Sequence, residues 1–320
     1  MTRLLFVLAL FGVPAAWAAR PAPMVDHHQH LLSQAYVALH ASPTNTLPTL
    51  SARELIANLD AAGIRRALVL SLAYSFGSPN RPLENEYAKV RAENDWTAAQ
   101  VAQYPDRLRG FCGFNPLKDY ALAELARCAR IPQLRHGIKL HFGNSDVQLD
   151  NPEHVARLRK VFAAANASKM AIAVHMRASI KYQRPYGESQ GRVFLEQLLP
   201  MAPDVQVQVA HLAGTGPGYD DPAAHSVMAV LAAAVERRDP RTRQLWFDVA
   251  SVADEEISPE LAAALVTRLR QVGVDRVLYG SDATAGGNLA PREAWAAFRR
   301  LPMTEKEFAR IATNVAPYMR

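Results

Sequence analysis

One unit recurs along the chain: a short apolar run, a turn, and a longer segment in which apolar residues have helical spacing. Such apolar runs are typical of buried strands, and the longer segments are typical of helices that pack on them. We predict strands at 25–31, 66–73, 108–115, 137–142, 170–176, 205–212, 245–250 and 276–282. We predict helices at 51–63, 85–104, 120–130, 152–165, 192–199, 223–237 and 259–272.

Strands that alternate with helices in this way predict an α/β protein built as a single (β/α)8 barrel, a fold that needs about 250 residues. The first predicted helix begins with a capping-box pattern, Ser51 followed by Glu54, and ends at Gly63. A doubly wound open sheet is the alternative. It is disfavoured because no Gly-rich dinucleotide turn follows the first strand.

Composition places the chain among soluble enzymes. It has 320 residues, of which 49% are apolar and 21% charged, so disordered and fibrous classes are excluded. The net charge of +6 suits an anionic small-molecule substrate or an envelope surface, but the basic residues form no clustered stripe, which argues against nucleic acid. No linker rich in Gly and Ser interrupts the chain. We therefore expect one domain over 24–320, with homo-oligomerisation left open.

The N-terminal segment has the pattern of an export signal. Arg3 precedes an apolar run over 4–13, and small residues over 15–19 give an Ala-x-Ala site with cleavage expected after Ala18. The run is too short for a permanent membrane span, and no later run approaches the ~20 apolar residues that a spanning helix needs. Residues 1–18 are thus predicted to be a signal peptide. We expect a periplasmic or secreted protein without a stable membrane anchor.

The chain has two cysteines, Cys112 and Cys128. In an exported protein they can pair, but their spacing is not that of a metal-binding knuckle. We interpret them as two buried thiols.

Ligand-type side chains recur where predicted strands end, which is where barrels of this class carry their chemistry. Alternation on the first strand puts Asp26, His28 and His30 on one face, and two imidazoles so placed can chelate one metal ion. A lone strand-end histidine is more often structural, so it is the recurrence that indicates a site. The residues concerned are His28, His30, Lys139, His141, His175, His211 and Asp282.

These residues resemble the amidohydrolase superfamily. The resemblance rests on Asp-x-His-x-His in the first strand, single histidines ending the fifth and sixth strands, and Gly-Ser-Asp ending the eighth. More narrowly, the chain resembles the amidohydrolase-related branch, which contains hydrolases, lactonases and decarboxylases of the aminocarboxymuconate-semialdehyde type. The resemblance covers nearly all of the chain after the leader, and it implies the barrel fold and a metal-dependent activity.

Carried over to this sequence, the resemblance implies that one divalent ion, most often zinc, is held by His28, His30, His175 and Asp282. His211 stands beside the ion without necessarily binding it. Three imidazoles and a carboxylate suit zinc and related transition metals, with a position left for water. Asp282 is then expected to be the base that takes the water's proton, and His211 to polarise the scissile carbonyl or act as an acid. Asp26 is expected to support the site rather than react.

Lys139 leaves the number of ions open. Some superfamily members carry a carboxylated lysine on the fourth strand that bridges two metal ions, whereas the branch that this chain resembles usually holds one. We expect a single ion, with Lys139 and His141 facing the substrate or serving the structure. A second ion, bridged by a carboxylated Lys139, is the alternative.

Substrate contacts are expected from the loop at 177–192, which is rich in Arg, Lys and Tyr. Arg177 shares strand parity with His175 and is the favoured residue for binding a substrate carboxylate. A solvated basic loop is the alternative interpretation.

Three functions remain from the sequence. The first is hydrolysis of an amide, ester or lactone in a small anionic substrate. The second is non-oxidative decarboxylation of an unsaturated or aromatic carboxylate on the same ligands. The third is a catalytically silent barrel that binds a ligand. The intact ligand set disfavours the third, and export favours hydrolysis over decarboxylation by analogy.

Overall fold

A computed structural model describes residues 22–42, 47–216, 219–254, 256–283 and 288–320. The predicted signal segment, 1–18, lies outside these residues. Eight parallel strands form one sheet in which neighbours in the sequence are neighbours in space. The strands are β1 (Val25–Gln29), β2 (Arg66–Leu70), β3 (Leu108–Gly113), β4 (Gly137–His141), β5 (Ala171–His175), β6 (Val207–Val209), β7 (Leu245–Asp248) and β8 (Val277–Leu278).

Backbone hydrogen bonds join the two ends of this sheet. The N–H of His27 donates to the carbonyl of Tyr279 over 2.8 Å, and the N–H of Asp282 donates to the carbonyl of His28 over 2.8 Å. The first strand therefore lies beside the last, and the sheet closes on itself. The prediction of a single (β/α)8 barrel is confirmed.

Helices cover the outside of the barrel. They are α1 (Gln34–His40), α2 (Ala52–Ala62), α3 (Glu86–Ala102), α4 (Ala121–Cys128), α5 (Phe142–Ser145), α6 (Pro152–Ala167), α7 (Glu188–Val193), α8 (Pro222–Glu236), α9 (Pro259–Val272), α10 (Pro291–Phe298) and α11 (Glu305–Thr313). The predicted capping box at α2 forms, and Gly63 ends that helix with φ +70°. α1, α5, α10 and α11 were not predicted. None of the helices in the described part of the chain combines the length and apolar character that a membrane span requires.

Several strands are shorter than predicted because the backbone leaves the sheet where the polar residues begin. Beyond β6, His211 and Leu212 have φ of 51° and 48°, and beyond β8, Asp282 has φ 50°. These left-handed conformations are uncommon for residues other than glycine and are found where a site constrains the backbone. The last residues of the predicted sixth and eighth strands are therefore turns that carry site side chains.

The interior of the barrel is packed at its N-terminal end. Apolar side chains from the strands meet the C-terminal segment there, so that end of the barrel is filled and the other is left for a cavity. The cluster contains Val25, Leu68, Leu70, Phe111, Ala171, Ala173, Leu278, Ala316, Tyr318 and Met319.

The two cysteines are joined. Cys112 in β3 and Cys128 at the end of α4 form a disulfide, with Cα atoms 6.1 Å apart. The interpretation of two separate thiols is therefore wrong. Spacing along the chain could not reveal the pair, because it is the packing of α4 on β3 that brings together residues 16 positions apart.

Candidate metal centre

A cavity of about 210 Å³ opens at the C-terminal end of the strands. Its polar lining comes mostly from the strand ends, and its apolar lining comes from the segments that follow β1 and β2. The lining residues are His28, His30, Leu32, Tyr36, Leu72, Tyr74, Lys139, His141, His175, His211, Thr215 and Asp282. The seven ligand-type residues named from the sequence all line it, whereas Asp26 and Arg177 do not.

Three side chains at this cavity have ligand atoms close enough to share an ion. One atom each from His28, His30 and Asp282 lies within 4.8 Å of the others, and all three residues are buried. Asp282 Oδ1 is 3.4 Å from His30 Nε2 and 4.0 Å from His28 Nε2. This carboxylate oxygen is buried and accepts no hydrogen bond. Because an unsatisfied buried oxygen is costly, the group fits a bound cation.

In three histidines, a hydrogen bond made by Nδ1 leaves the other ring nitrogen, Nε2, to face the cavity. Nδ1 of His28 is 3.0 Å from Asp248 Oδ2, Nδ1 of His30 is 2.6 Å from the Leu70 carbonyl, and Nδ1 of His211 is 2.8 Å from the Ala250 carbonyl. Carbonyl and carboxylate oxygens only accept, so each Nδ1 carries the proton and each Nε2 carries the lone pair. Metal-binding histidines are oriented by such bonds. His211 thus turns the lone pair of its Nε2 to the cavity, as His28 and His30 do.

Asp248, at the end of β7, holds the His28 ring and the His211 backbone in place. Its carboxylate accepts from His28 Nδ1, from Gln208 Nε2 over 2.6 Å, and from the backbone N–H groups of His211 and Ala250 over 2.9 and 3.2 Å. Burial opposes ionisation, but the electrostatic interactions and hydrogen bonds with His28 and His211 outweigh it and hold the pKa of Asp248 below its usual range.

Lys139 lies against the same lone pair that His28 offers to an ion. Its Nζ is 3.2 Å from His28 Nε2, and because that nitrogen is the acceptor, the lysine donates. Burial lowers the pKa of Lys139, while the charges of Asp248 and Asp282 act against the shift. Burial also raises the pKa of Asp282, which Lys139 in turn lowers. The lysine is therefore in direct contact with the ligand group, and its role toward a substrate stays a prediction.

His175 and His141 form the opposite side of the cavity. Their rings stack with centroids 3.9 Å apart and planes inclined by 15°, and the His175 ring is 5.0 Å from that of His211. Among the described residues, His175 is not in a group of three ligands as close as that of His28, His30 and Asp282. Its stacking on His141 sets its orientation.

Arg177 does not lie where strand parity predicts. Its Nε donates to Asp221 Oδ2 over 2.6 Å, and its guanidinium lies 4.7 Å from the centre of the Tyr186 ring. β5 ends at His175, so strand alternation does not reach residue 177. Arg177 therefore forms an ion pair outside the lining of this cavity, and its contact with a substrate carboxylate stays a prediction.

Asp26 also departs from the predicted alternation. The register of β1 is irregular between Asp26 and Gln29, so Asp26 does not share a face with the cavity histidines. Its carboxylate accepts from the N–H groups of His28 and Ser281, both over 3.1 Å, and from the Ser281 hydroxyl over 2.7 Å. Asp26 thus ties β1 to the segment that carries Asp282.

Sequence reasoning missed the cavity residues that come from loops and helices. Tyr36 lies in α1 and Thr215 follows β6. Asn288, outside the cavity lining, donates to Asp282 Oδ2 over 3.3 Å and to its carbonyl over 2.8 Å. No strand periodicity marks these positions. Tyr74, which follows β2, lines the cavity next to His141 with ring centres 5.1 Å apart.

The family model described as amidohydrolase matches residues 25–314, which includes all eight strands and the whole cavity lining. The chain belongs to the amidohydrolase family. This family is metal-dependent, in agreement with the ligand group described above. No curated protein matches the chain.

Solved structures share the barrel. A 5-carboxyvanillate decarboxylase from Novosphingobium aromaticivorans, complexed with manganese and a nitrobenzoic acid, is 16% identical with a TM-score of 0.64, covering 94% of this chain and 97% of its own. A 2,6-dihydroxybenzoate decarboxylase from Rhizobium is 16% identical with a TM-score of 0.62, covering 93% and 98%. A probable 2-pyrone-4,6-dicarboxylic acid hydrolase from Acinetobacter baumannii is 17% identical with a TM-score of 0.58, covering 91% and 96%. At these identities the likeness establishes the fold.

Proposed function

We propose that this member of the amidohydrolase family is a metal-dependent decarboxylase of a small aromatic or unsaturated carboxylic acid. The observation that carries the proposal is the composition of the cavity. Cation ligands and a lysine occupy its floor, so a bound acid meets positive charge there. Two tyrosines and two leucines, Leu32, Tyr36, Leu72 and Tyr74, supply walls for a flat apolar body. Structurally similar decarboxylases of aromatic acids support the same choice.

The proposed ion is held by His28, His30 and Asp282, with His175 and His211 at the edge of the group. Imidazole nitrogens with a carboxylate suit zinc, and manganese is the ion named for the similar structure. We propose one zinc ion per chain. When bound, it supplies positive charge that holds the acid and draws electron density from the bond to be broken.

The chain's own residues then handle the proton. Loss of carbon dioxide leaves an electron pair on the substrate carbon, which must take up a proton. His211 Nε2 and Asp282 Oδ2 lie 3.9 Å apart on the cavity wall, and we place the acid that delivers this proton in that pair. The apolar wall excludes water from the carbon, and Asp248 keeps the His211 backbone in position.

Hydrolysis of an amide, ester or lactone is the second candidate. It is favoured by the lone pair that His211 Nε2 turns to the cavity beside the carboxylate of Asp282, since such a pair can take a proton from water. The probable pyrone hydrolase among the similar structures gives the same fold a hydrolytic example.

Products distinguish the two reactions. Zinc-loaded protein is incubated with aromatic and unsaturated acids labelled with 13C in the carboxyl group, and with a matched set of esters and lactones in 18O water. We expect labelled carbon dioxide from an acid and no 18O in the products. Incorporation of 18O with the carboxyl carbon retained would establish the hydrolase instead. Zinc binding without turnover of either set would favour the silent ligand-binding barrel.

We also propose that the protein acts outside the cytoplasm, in the periplasm or medium, on small molecules rather than nucleic acid. The pattern of residues 1–18 supports export, and so does the Cys112–Cys128 pair, because disulfides persist in oxidising compartments. We expect thiol titration of the unfolded protein to find no free thiol when it is made with its leader, and two after reduction. Replacing both cysteines by alanine is expected to lower the free energy of unfolding by about 3 kcal/mol, measured with denaturant.

A further inference from the structure

The histidine that ends β4, His141, differs from His28, His30 and His211 in the hydrogen bond that its Nδ1 makes. Nδ1 of His141 accepts the backbone N–H of Asn144 over 3.1 Å, at the start of the one-turn helix α5. A backbone N–H only donates, so this Nδ1 must carry a lone pair. The proton of the neutral ring is therefore on Nε2.

This arrangement is the reverse of that at the metal group. His28, His30 and His211 donate through Nδ1 and present a lone pair at Nε2, whereas His141 accepts through Nδ1 and presents an N–H. A nitrogen that carries a proton cannot bind a metal ion. A hydrogen-bond acceptor on a ligand can satisfy it.

The ring of His141 is held in this orientation. It stacks on His175 at 3.9 Å and contacts the Tyr74 ring at 5.1 Å, and turning it over would break the bond from Asn144. Lys139, two residues earlier on the same strand, also lines the cavity and is also a donor. The end of β4 therefore places two hydrogen-bond donors in the cavity lining, facing the ligand group that β1 and the segment after β8 supply.

From this geometry we infer that His141 is a substrate-binding residue whose Nε2–H donates to a carboxylate oxygen of the substrate, and that it is not a ligand of a second metal ion. The inference rests on the proposed function in one respect, the acidic substrate. It goes beyond that function by assigning the residue that receives the acid group and by excluding His141 from the metal centre.

Two substitutions separate this role from the capping of α5. In His141→Asn the side-chain oxygen can still accept the Asn144 N–H, since Asn is a good helix cap, but the donor to the cavity is lost. In His141→Gln the amide reaches further and returns an N–H donor near the position of Nε2. A role confined to the cap predicts that the asparagine variant behaves as wild type and that the glutamine variant is impaired. A role in binding predicts the opposite order.

Benzoate is the probe, added to zinc-loaded wild type and to both variants and followed by calorimetry. We expect His141→Asn to weaken benzoate binding about tenfold or more, and His141→Gln to stay within about threefold, as expected for one hydrogen bond to a charged oxygen. Zinc content is expected to be unchanged in both variants. In 15N-histidine spectra of wild type, the signal that disappears in both variants should show the Nε2–H tautomer.

Three results would overturn the inference: equal benzoate affinity of the asparagine variant and wild type, loss of zinc in that variant, or an Nδ1–H tautomer for His141. Failure of the proposed function looks different. In that case wild type itself does not bind benzoate, while zinc content and the Nε2–H tautomer still exclude His141 from the metal ligands.

Discussion

The nitrogen that a histidine turns to the cavity is set by what its other nitrogen contacts. For His30 and His211 that contact is a backbone carbonyl, for His28 it is the carboxylate of Asp248, and for His141 it is a backbone N–H. The sequence shows which residues end the strands, and so it indicated the cavity. It could not show the division into lone-pair and N–H rings, because the partners are main-chain groups or lie far along the chain.

Asp248 offers a test of whether these hydrogen bonds prepare the histidines to bind the ion. Asp248→Asn keeps the size of the side chain but replaces one acceptor oxygen by a donor, which faces donors in the present network. We expect the affinity for zinc to fall by about 10-fold to 100-fold, the usual effect of removing the partner of a ligating histidine. The measurement is competition with a fluorescent chelator at neutral pH.

The matched control is Asp60→Asn, because Asp60 is an exposed residue of α2 that pairs with Arg107. Its zinc affinity should equal that of wild type. Unchanged affinity in Asp248→Asn would mean that His28 and His211 do not need this carboxylate in order to bind the ion.

Lys139 decides the number of ions. In the proposed centre with one ion, its amine competes with zinc for the lone pair of His28, so Lys139→Met should keep one zinc per chain with equal or higher affinity. Elemental analysis after loading in bicarbonate measures the stoichiometry. Two ions per chain in wild type, falling in Lys139→Met, would instead show a carboxylated lysine that bridges a pair of metals.

At the scale of elements, order and type of the strands were predictable and the burial of polar helix residues was not. The predicted helix at 85–104 carries many charges, which favours exposure to water, yet α3 buries Glu93, Asn94 and Thr97. Asn94 donates to the Gly113 carbonyl and accepts the Gly113 N–H, both over 2.9 Å, which docks α3 on β3. The sequence alone does not show whether a charged or amide residue of a helix is exposed to water or packs against a strand.

Glu93 makes this burial measurable through pH. Burial raises its pKa to about 7, against a hydrogen bond from the Ser33 hydroxyl that lowers it. A carboxyl whose pKa is raised on folding contributes stability that is fully present below the pKa of the unfolded state, near 4.5, and is lost as pH rises through 7. Glu93→Gln removes this titration and can still accept from Ser33.

We therefore compare the free energy of unfolding of Glu93→Gln with that of wild type, measured with denaturant. From pH 4.5 to pH 8 we expect the difference to change by roughly 3 kcal/mol in favour of the variant. The exposed Glu84→Gln is the control and should follow wild type at each pH. A constant difference between Glu93→Gln and wild type across this range would show that Glu93 is ionised without penalty in the folded protein.

At the scale of the whole molecule, closure of the barrel was predictable from the alternation of elements, but the contacts that close it were not. Asp26 accepts from the N–H groups of His28 and Ser281, near opposite ends of the chain, and an irregular register in β1 makes this possible. Strict strand alternation assigned Asp26 to the wrong face for that reason. Such irregularities depend on the partner strand, which the local sequence does not contain.

The same closure predicts how metal removal affects stability. His28 and His30 belong to the first strand segment and Asp282 to the last, so an ion shared by them joins the two ends of the barrel. Zinc at about a thousand times its dissociation constant should stabilise the folded protein by about 4 kcal/mol, which raises Tm by several degrees. Calorimetry of chelator-treated and zinc-loaded protein measures the difference.

Asp282→Ala should abolish this stabilisation by zinc, whereas Asp275→Ala, at an exposed surface ion pair before β8, should preserve it. Equal Tm values with and without zinc in wild type would show that the folded protein does not bind the ion, and an unchanged effect in Asp282→Ala would place the ion elsewhere than at this seam.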